Sequence, residues 1–157
     1  MLVERDAHVG VVLMNRPMFD SGSAVVKPYM RELLREIGGV LAEVPNRLTL
    51  EGHTDAQPFG AGERGYSNWE LSSDRANASR RELGAGGLPE DRVLLVQGLA
   101  SSMLFNQADP LNPVNRRISI LVMNRDAEDR LLRVTGDEEE VAELSAAAAS
   151  TPGAIAR

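Results

Sequence analysis

The chain has 157 residues, a formal net charge of −6, 43% hydrophobic residues, no Cys and two His. That length suits one domain able to bury its own core. The lack of Cys excludes disulfides, thiolate metal sites and Cys nucleophiles, and two His exclude a multi-histidine metal centre. No apolar run approaches the roughly 18 residues of a membrane span, and no basic segment followed by an apolar stretch opens the chain. Three Arg against eight acids between residues 125 and 143 place most of the negative charge in a tail, and nothing resembles the basic surface of a nucleic-acid binder. Lys occurs once, at Lys27, so nearly every cation is a guanidinium, a group suited to bidentate recognition of carboxylate or phosphate.

In chain order, residues 1–7 read as a residual linker. His8–Met14 reads as a strand with Val9, Val11 and Leu13 on one face, and Asn15–Ser23 as a loop. Pro28 suits a first helical turn. Tyr29, Leu33, Ile37, Val40, Leu41 and Val44 then repeat at helical spacing and predict the apolar face of a helix that Pro45-Asn46 ends. Gly38-Gly39 weakens that helix by about 1 kcal/mol per Gly and lets it lie close to a sheet. Arg47–Glu51 alternates as a second strand, and Gly52–Tyr66 is a long loop. Ser67-Asn68-Trp69-Glu70 has the form of a capping box, so a second helix starts there and runs to about Leu83, where Gly84, Gly86 and Gly87 stop it. Val93–Val96 and Ile118–Met123 are the last two strands, with a polar loop from Leu99 to Asn115 between them. The order β-α-β-α-β-β predicts a two-layer α/β (α+β) sandwich, although the crossover rule leaves open whether both helices share a face. Residues 8–124 form the domain. Residues 125–157 form an acidic, Ala-rich tail, helical over about Arg125–Glu143 and frayed from Ser145.

Three groups of residues carry potential chemistry. Glu51, His53 and Asp55 alternate at the end of the second strand, where they could ligate a metal. With a single His among them, His53 is read in preference as a core or hydrogen-bonded residue. Gly60-Ala61-Gly62-Glu63-Arg64-Gly65 fits G-x-G-x-x-G literally but lacks the strand-to-helix turn that a dinucleotide site needs, so it reads as a flexible loop. Arg75, Arg80 and Arg81 on the second helix and Arg116-Arg117 before the last strand form the third group. Arg75 stands out because it lies near the loop end of its helix, close to Asp55. A plain surface ion pair there is worth about 1 kcal/mol or less, whereas the same two charges held apart would bind a ligand carrying both signs. There is no nucleophile elbow and no pair of carboxylates in distinct environments.

Gly52-His53-Thr54-Asp55, then Asn68-Trp69-Glu70-Leu71-Ser72-Ser73-Asp74-Arg75-Ala76, then Asn115-Arg116-Arg117 resembles the OmpA C-terminal-like (OmpA/MotB) family. The longer run Gly65–Leu83, with Met18–Ala24 and Pro45-Asn46, is similar to its flagellar-stator branch. The resemblance spans residues 8–124. It implies an OmpA-like β-α-β-α-β-β fold with a mixed sheet packed by helices, and a noncovalent peptidoglycan binder that is not an enzyme and needs no cofactor or metal. It implies that Asp55 and Arg75 hold the ammonium and carboxylate of diaminopimelate in the stem peptide. Charge-assisted bonds of that kind are worth about 1.5–3 kcal/mol each when sheltered. It further nominates Asn68, Leu71 and Thr54 in the same pocket, Asp20 and Ser21 in the loop after the first strand, which contributes backbone contacts, and Arg116 as a support for Asp55 or a wall of the glycan groove. The insert Ala56–Tyr66 departs from shorter relatives and is expected to cover the pocket.

The same resemblance implies a periplasmic domain tethered to the inner membrane by an N-terminal helix that this sequence lacks, the start at Met1 being expected to mark an expressed C-terminal fragment. It implies a MotA-like stator subunit and a homodimer as partners, dimer formation raising a weak single-site affinity. Two other readings compete. One is a docking domain for a flagellar ring protein, and the other a metal-dependent wall hydrolase built on Glu51, His53 and Asp55.

Overall fold

A computed structural model describes residues 2–5, 8–12, 16–59 and 65–136. Its elements are β1 (Leu2–Arg5), β2 (His8–Val12), α1 (Pro28–Leu41), β3 (Leu48–Gly52), α2 (Asn68–Ala85), β4 (Val93–Gly98), β5 (Ile118–Met123) and α3 (Arg125–Gly136). The chain divides into two compact units, Met1–Asn124 and Arg125–Arg157. The core and the site described below belong to the first. In the second, α3 begins with Asp126 and Glu128 in its first turn and carries Arg133 in its last, the order that complements the helix dipole. The expected frayed end lies outside the described residues, as do most of the Gly60–Gly65 loop and the last two residues of the expected first strand.

One sheet runs in the order β1-β2-β5-β3-β4. Only β3 and β4 are parallel, joined through α2 as a crossover, and every other pair is antiparallel. Residues 1–7 correct the linker expectation: Leu2–Arg5 pairs antiparallel with His8–Val11 and adds an edge strand. Four residues of weak alternation do not announce this pairing in sequence.

Leu48 and Leu50 of β3, Ile118 and Ile120 of β5, Met30 and Leu34 of α1, and Ala76 and Leu83 of α2 share one buried cluster with Met18 and Phe19. The strand residues alternate at period two, so they lie on one sheet face, and both helices feed that face. This gives two layers and settles the handedness question that the sequence leaves open.

The buried face of α1 differs from the expected one. Met30, Leu34 and Gly38 are buried, with Ile37 and Leu41 packed against the core. Tyr29, Leu33, Val40 and Val44 are solvent-exposed, Val40 by 65%. Two apolar stripes about 100° apart run along this helix, and both satisfy helical spacing. What decides between them is the α1–α2 contact: a Cβ on Gly38 would stand 2.2 Å from the Leu83 carbonyl oxygen. The glycine therefore brings the helix against its helical neighbour, not against the sheet as expected.

α2 starts where the capping box places it. The Ser67 side chain accepts from the Trp69 N–H and the Glu70 carboxylate from the Ser67 N–H, at 3.2 and 2.7 Å. The helix extends to Ala85, and Gly87, at φ +117°, reverses the chain beyond it.

Candidate functional site

The site forms where the C-terminal end of β3 meets the first two turns of α2. Gly52 makes that meeting possible, since a Cβ there would stand 1.7 Å from the Ser72 carbonyl oxygen. Beyond Gly52 the backbone is pinned on three sides. His53 N–H bonds to Arg117 O, Thr54 N–H to Ala100 O and Ala56 N–H to Pro110 O, each at 2.9 Å. Ala100 itself lies at φ +50°, its N–H held by the Ser72 hydroxyl at 3.0 Å.

Arg75 is 1% exposed, and three of its guanidinium N–H groups point at backbone carbonyls. Nε donates to Ser23 O at 2.9 Å, Nη1 to His53 O at 3.1 Å and Nη2 to Asp20 O at 3.1 Å. Its plane lies 5.0 Å from the centre of the Phe19 ring. Burial pushes its pKa down to about 10, opposed by the Asp55 charge and reinforced by Arg116, so it stays protonated at neutral pH. These three bonds use three of its five N–H donors.

Asp55, 5% exposed, pairs with Arg116 at 3.2 Å and accepts the Gln57 N–H at 3.1 Å. Arg116 is in turn braced by Phe19 O at 2.8 Å. The direct ion pair is thus Asp55–Arg116. Asp55 and Arg75 instead line a shared cleft of about 330 Å³. Leu71 and Asn68 contribute from α2, Ser21 and Gly22 from the first loop, and Thr54, Gln57, Pro58 and Phe59 from the β3–α2 loop. Asn68 Nδ2 donates to Gln57 O at 2.9 Å, fastening that loop to the helix.

Of the eight nominated residues, six line the cleft: Ser21, Thr54, Asp55, Asn68, Leu71 and Arg75. Arg116 stands behind Asp55. Asp20 reaches the site through its backbone: its carbonyl accepts from Arg75, while its carboxylate is exposed and paired with Lys27 at 3.1 Å. Gln57, Pro58 and Phe59 had no specific signal beyond their place in the loop expected to cover the pocket. Asn115 was noted only within a motif. It is fully buried, donating to the carbonyls of Asn106, Asp109 and Pro110 and so shaping the loop that holds Ala56.

The Glu51, His53, Asp55 triad is not assembled, and among the described residues no three His, Asp or Glu side chains gather as a metal site. His53 is 2% exposed, with Nε2 at 3.1 Å from Ser119 Oγ. Burial, and secondly the Arg117 charge, lowers its pKa to about 3, so it is a neutral core residue.

Residues 18–118 match the model of the OmpA family. The chain is 51% identical over 139 residues to Motility protein B of Escherichia coli K12, covering 88% of this chain and 45% of that protein. It therefore spans about half the length of that relative. Among solved structures, the periplasmic domain of Helicobacter pylori MotB superimposes with a TM-score of 0.67 at 18% identity, over 87% of this chain and 90% of that one. The cell wall anchor of the type VI secretion system (T6SS) from Pseudomonas aeruginosa does so with a TM-score of 0.64 at 28% identity, over 80% and 87%. With the sheet order, the cleft and the family match in agreement, the chain belongs to the OmpA family.

Proposed function

We propose that this domain binds peptidoglycan noncovalently, holding the diaminopimelate of the stem peptide in the Asp55–Arg75 cleft, and so fixes a flagellar stator to the cell wall. The observation that carries this reading is that one carboxylate and one guanidinium, both buried and neither bonded to the other, face the same cavity. An amino acid centre presents an ammonium and a carboxylate on one carbon. The free lone pairs of Asp55 take the first and the remaining N–H donors of Arg75 the second. Leu71 and Phe59 supply apolar walls for the methylene chain between the two ends of diaminopimelate. In the longer protein, the domain lies in the periplasm, tethered to the inner membrane, works as a homodimer and couples to a MotA-like subunit so that torque acts on the rotor.

Co-sedimentation with purified diaminopimelate-type sacculi tests the reading. Asp55→Asn keeps the shape and the Gln57 bond but removes the charge, and it is expected to lower affinity about tenfold or more. Free diaminopimelate should compete with the sacculi. Unchanged binding by a folded Asp55→Asn variant would place the wall contact elsewhere. Docking to a flagellar ring protein is a second reading, favoured by the exposed apolar residues Tyr29, Leu33 and Val40 on α1 and Val44 just beyond it. Val40→Glu, which spares the cleft, would disrupt that docking and leave sacculus binding intact.

A further inference from the structure

A second cleft of about 350 Å³ lies on the other side of the same two turns of α2, lined by Tyr66, Trp69, Glu70, Ser73, Asp74 and Gly98. We propose that it is a subsite for the neutral glycan strand, with the Trp69 indole as its stacking platform. This rests on the peptidoglycan reading of the first cleft and deepens it.

Trp69 is the chain's sole Trp, and it is 56% exposed on a helix whose inner face is fully packed. An exposed indole offers a ligand large apolar area and a polar N–H edge. Around it the rim is polar and acidic. Asp74 accepts from the Tyr66 hydroxyl at 2.5 Å through Oδ2, leaving lone pairs for another donor. The Ser67 hydroxyl holds the Glu70 carboxyl below its usual range, so Glu70 keeps its charge at neutral pH. Among the described residues, no Lys, Arg or His lines the cleft. Such a surface disfavours the carboxylates of a stem peptide and suits a ligand with C–H faces and hydroxyl or amide N–H edges. An N-acetylated sugar has both: its ring face covers the indole, and its edge donates to Asp74.

Position supports the same ligand. The two clefts share an aromatic wall, Phe59 of the first contacting Tyr66 of the second with ring centres 4.7 Å apart. Asn68, Leu71 and Arg75 face one side, and Trp69, Glu70, Ser73 and Asp74 the other. The separation is therefore about one helix diameter, roughly 10–12 Å. Diaminopimelate is the third residue of a stem attached to the sugar, and three extended residues reach about 10 Å. A stem held in the first cleft and leaving it along the Phe59–Tyr66 wall runs towards Trp69 with its own glycan.

The test is titration of the intact chain with chitotetraose, a neutral N-acetylated glycan without stem peptide, read by Trp69 emission, beside its fully deacetylated counterpart. The expected result is a saturable emission change with chitotetraose that weakens about tenfold in Asp74→Ala, the loss of one hydrogen bond to a charged acceptor. Trp69→Ala should weaken sacculus binding while free stem peptide binds as before. No emission change with chitotetraose, or a response to the cationic deacetylated glycan alone, overturns the subsite while leaving stem-peptide binding standing. A wild-type chain that binds neither sacculi nor stem peptide overturns the underlying reading as well.

Discussion

Arg75 illustrates how one side chain serves two ends. Its three carbonyl bonds tie the first loop and the end of β3 to α2, so its removal leaves buried acceptors unpaired. Arg75→Ala is expected to cost about 3 kcal/mol or more in denaturant unfolding, which makes it a poor probe of binding alone. Asp55→Asn is the cleaner probe of the site. His53 gives a second expectation. Its folded pKa of about 3 lies below the ordinary 6.5, so the unfolded chain binds the extra proton. Its contribution to stability is intact above pH 6.5 and falls as pH drops towards 3, by about 1.4 kcal/mol per unit. His53→Gln should therefore flatten the decline in Tm between pH 6.5 and pH 4 relative to wild type. An identical slope in both proteins would refute a neutral buried imidazole.

At the scale of elements, α1 separates pattern from packing. Both stripes of this helix are apolar, yet only one is buried. Leu34→Ala is expected to cost about 2–5 kcal/mol through the cavity it opens, while Val40→Ala changes stability by about 0.5 kcal/mol or less. Urea unfolding of the two variants checks the assignment. The capping box of α2 was legible because it depends only on residues three apart, and Ser67→Ala should cost about 1 kcal/mol. Gly52, the last residue of β3, packs against the same helix. Gly52→Ala forces a methyl into the Ser72 carbonyl, so it should both destabilise the domain and displace Arg75 from the cleft. Loss of stability with unaltered sacculus affinity would contradict that coupling.

For the whole molecule, the sheet order sets the site. β3 lies between β5 and β4, so the loop leaving β3 emerges beside the turn after β4 and the loop before β5, and it is held by both. The first loop reaches the same place because Met18 N–H bonds to Arg116 O at 3.1 Å and Arg75 grasps its carbonyls. Every described residue of both clefts lies within the first compact unit, Met1–Asn124. A chain ending at Asn124 is accordingly expected to keep a cooperative thermal transition and sacculus binding within about twofold, measured side by side with the full chain.

The amino-acid sequence alone determined the main strands and helices, the start of α2, the division near residue 124, and the motif residues that converge on the first cleft. Those features rest on period, caps and breakers, which are local, or on motifs that survive in order along the chain. Tertiary structure alone decided the rest. It chose the buried stripe of α1, since a glycine at a helix crossing acts only when the second helix is present. It paired Asp55 with Arg116 and gave Arg75 to three carbonyls, since those partners lie 22 to 61 residues apart in the chain. It turned Asp20 outward, recruited Gln57, Pro58 and Phe59 to the wall, and set Trp69 beside a second cleft. Each of these depends on which backbone groups remain unsatisfied after the sheet has closed, a quantity that exists only in the folded chain.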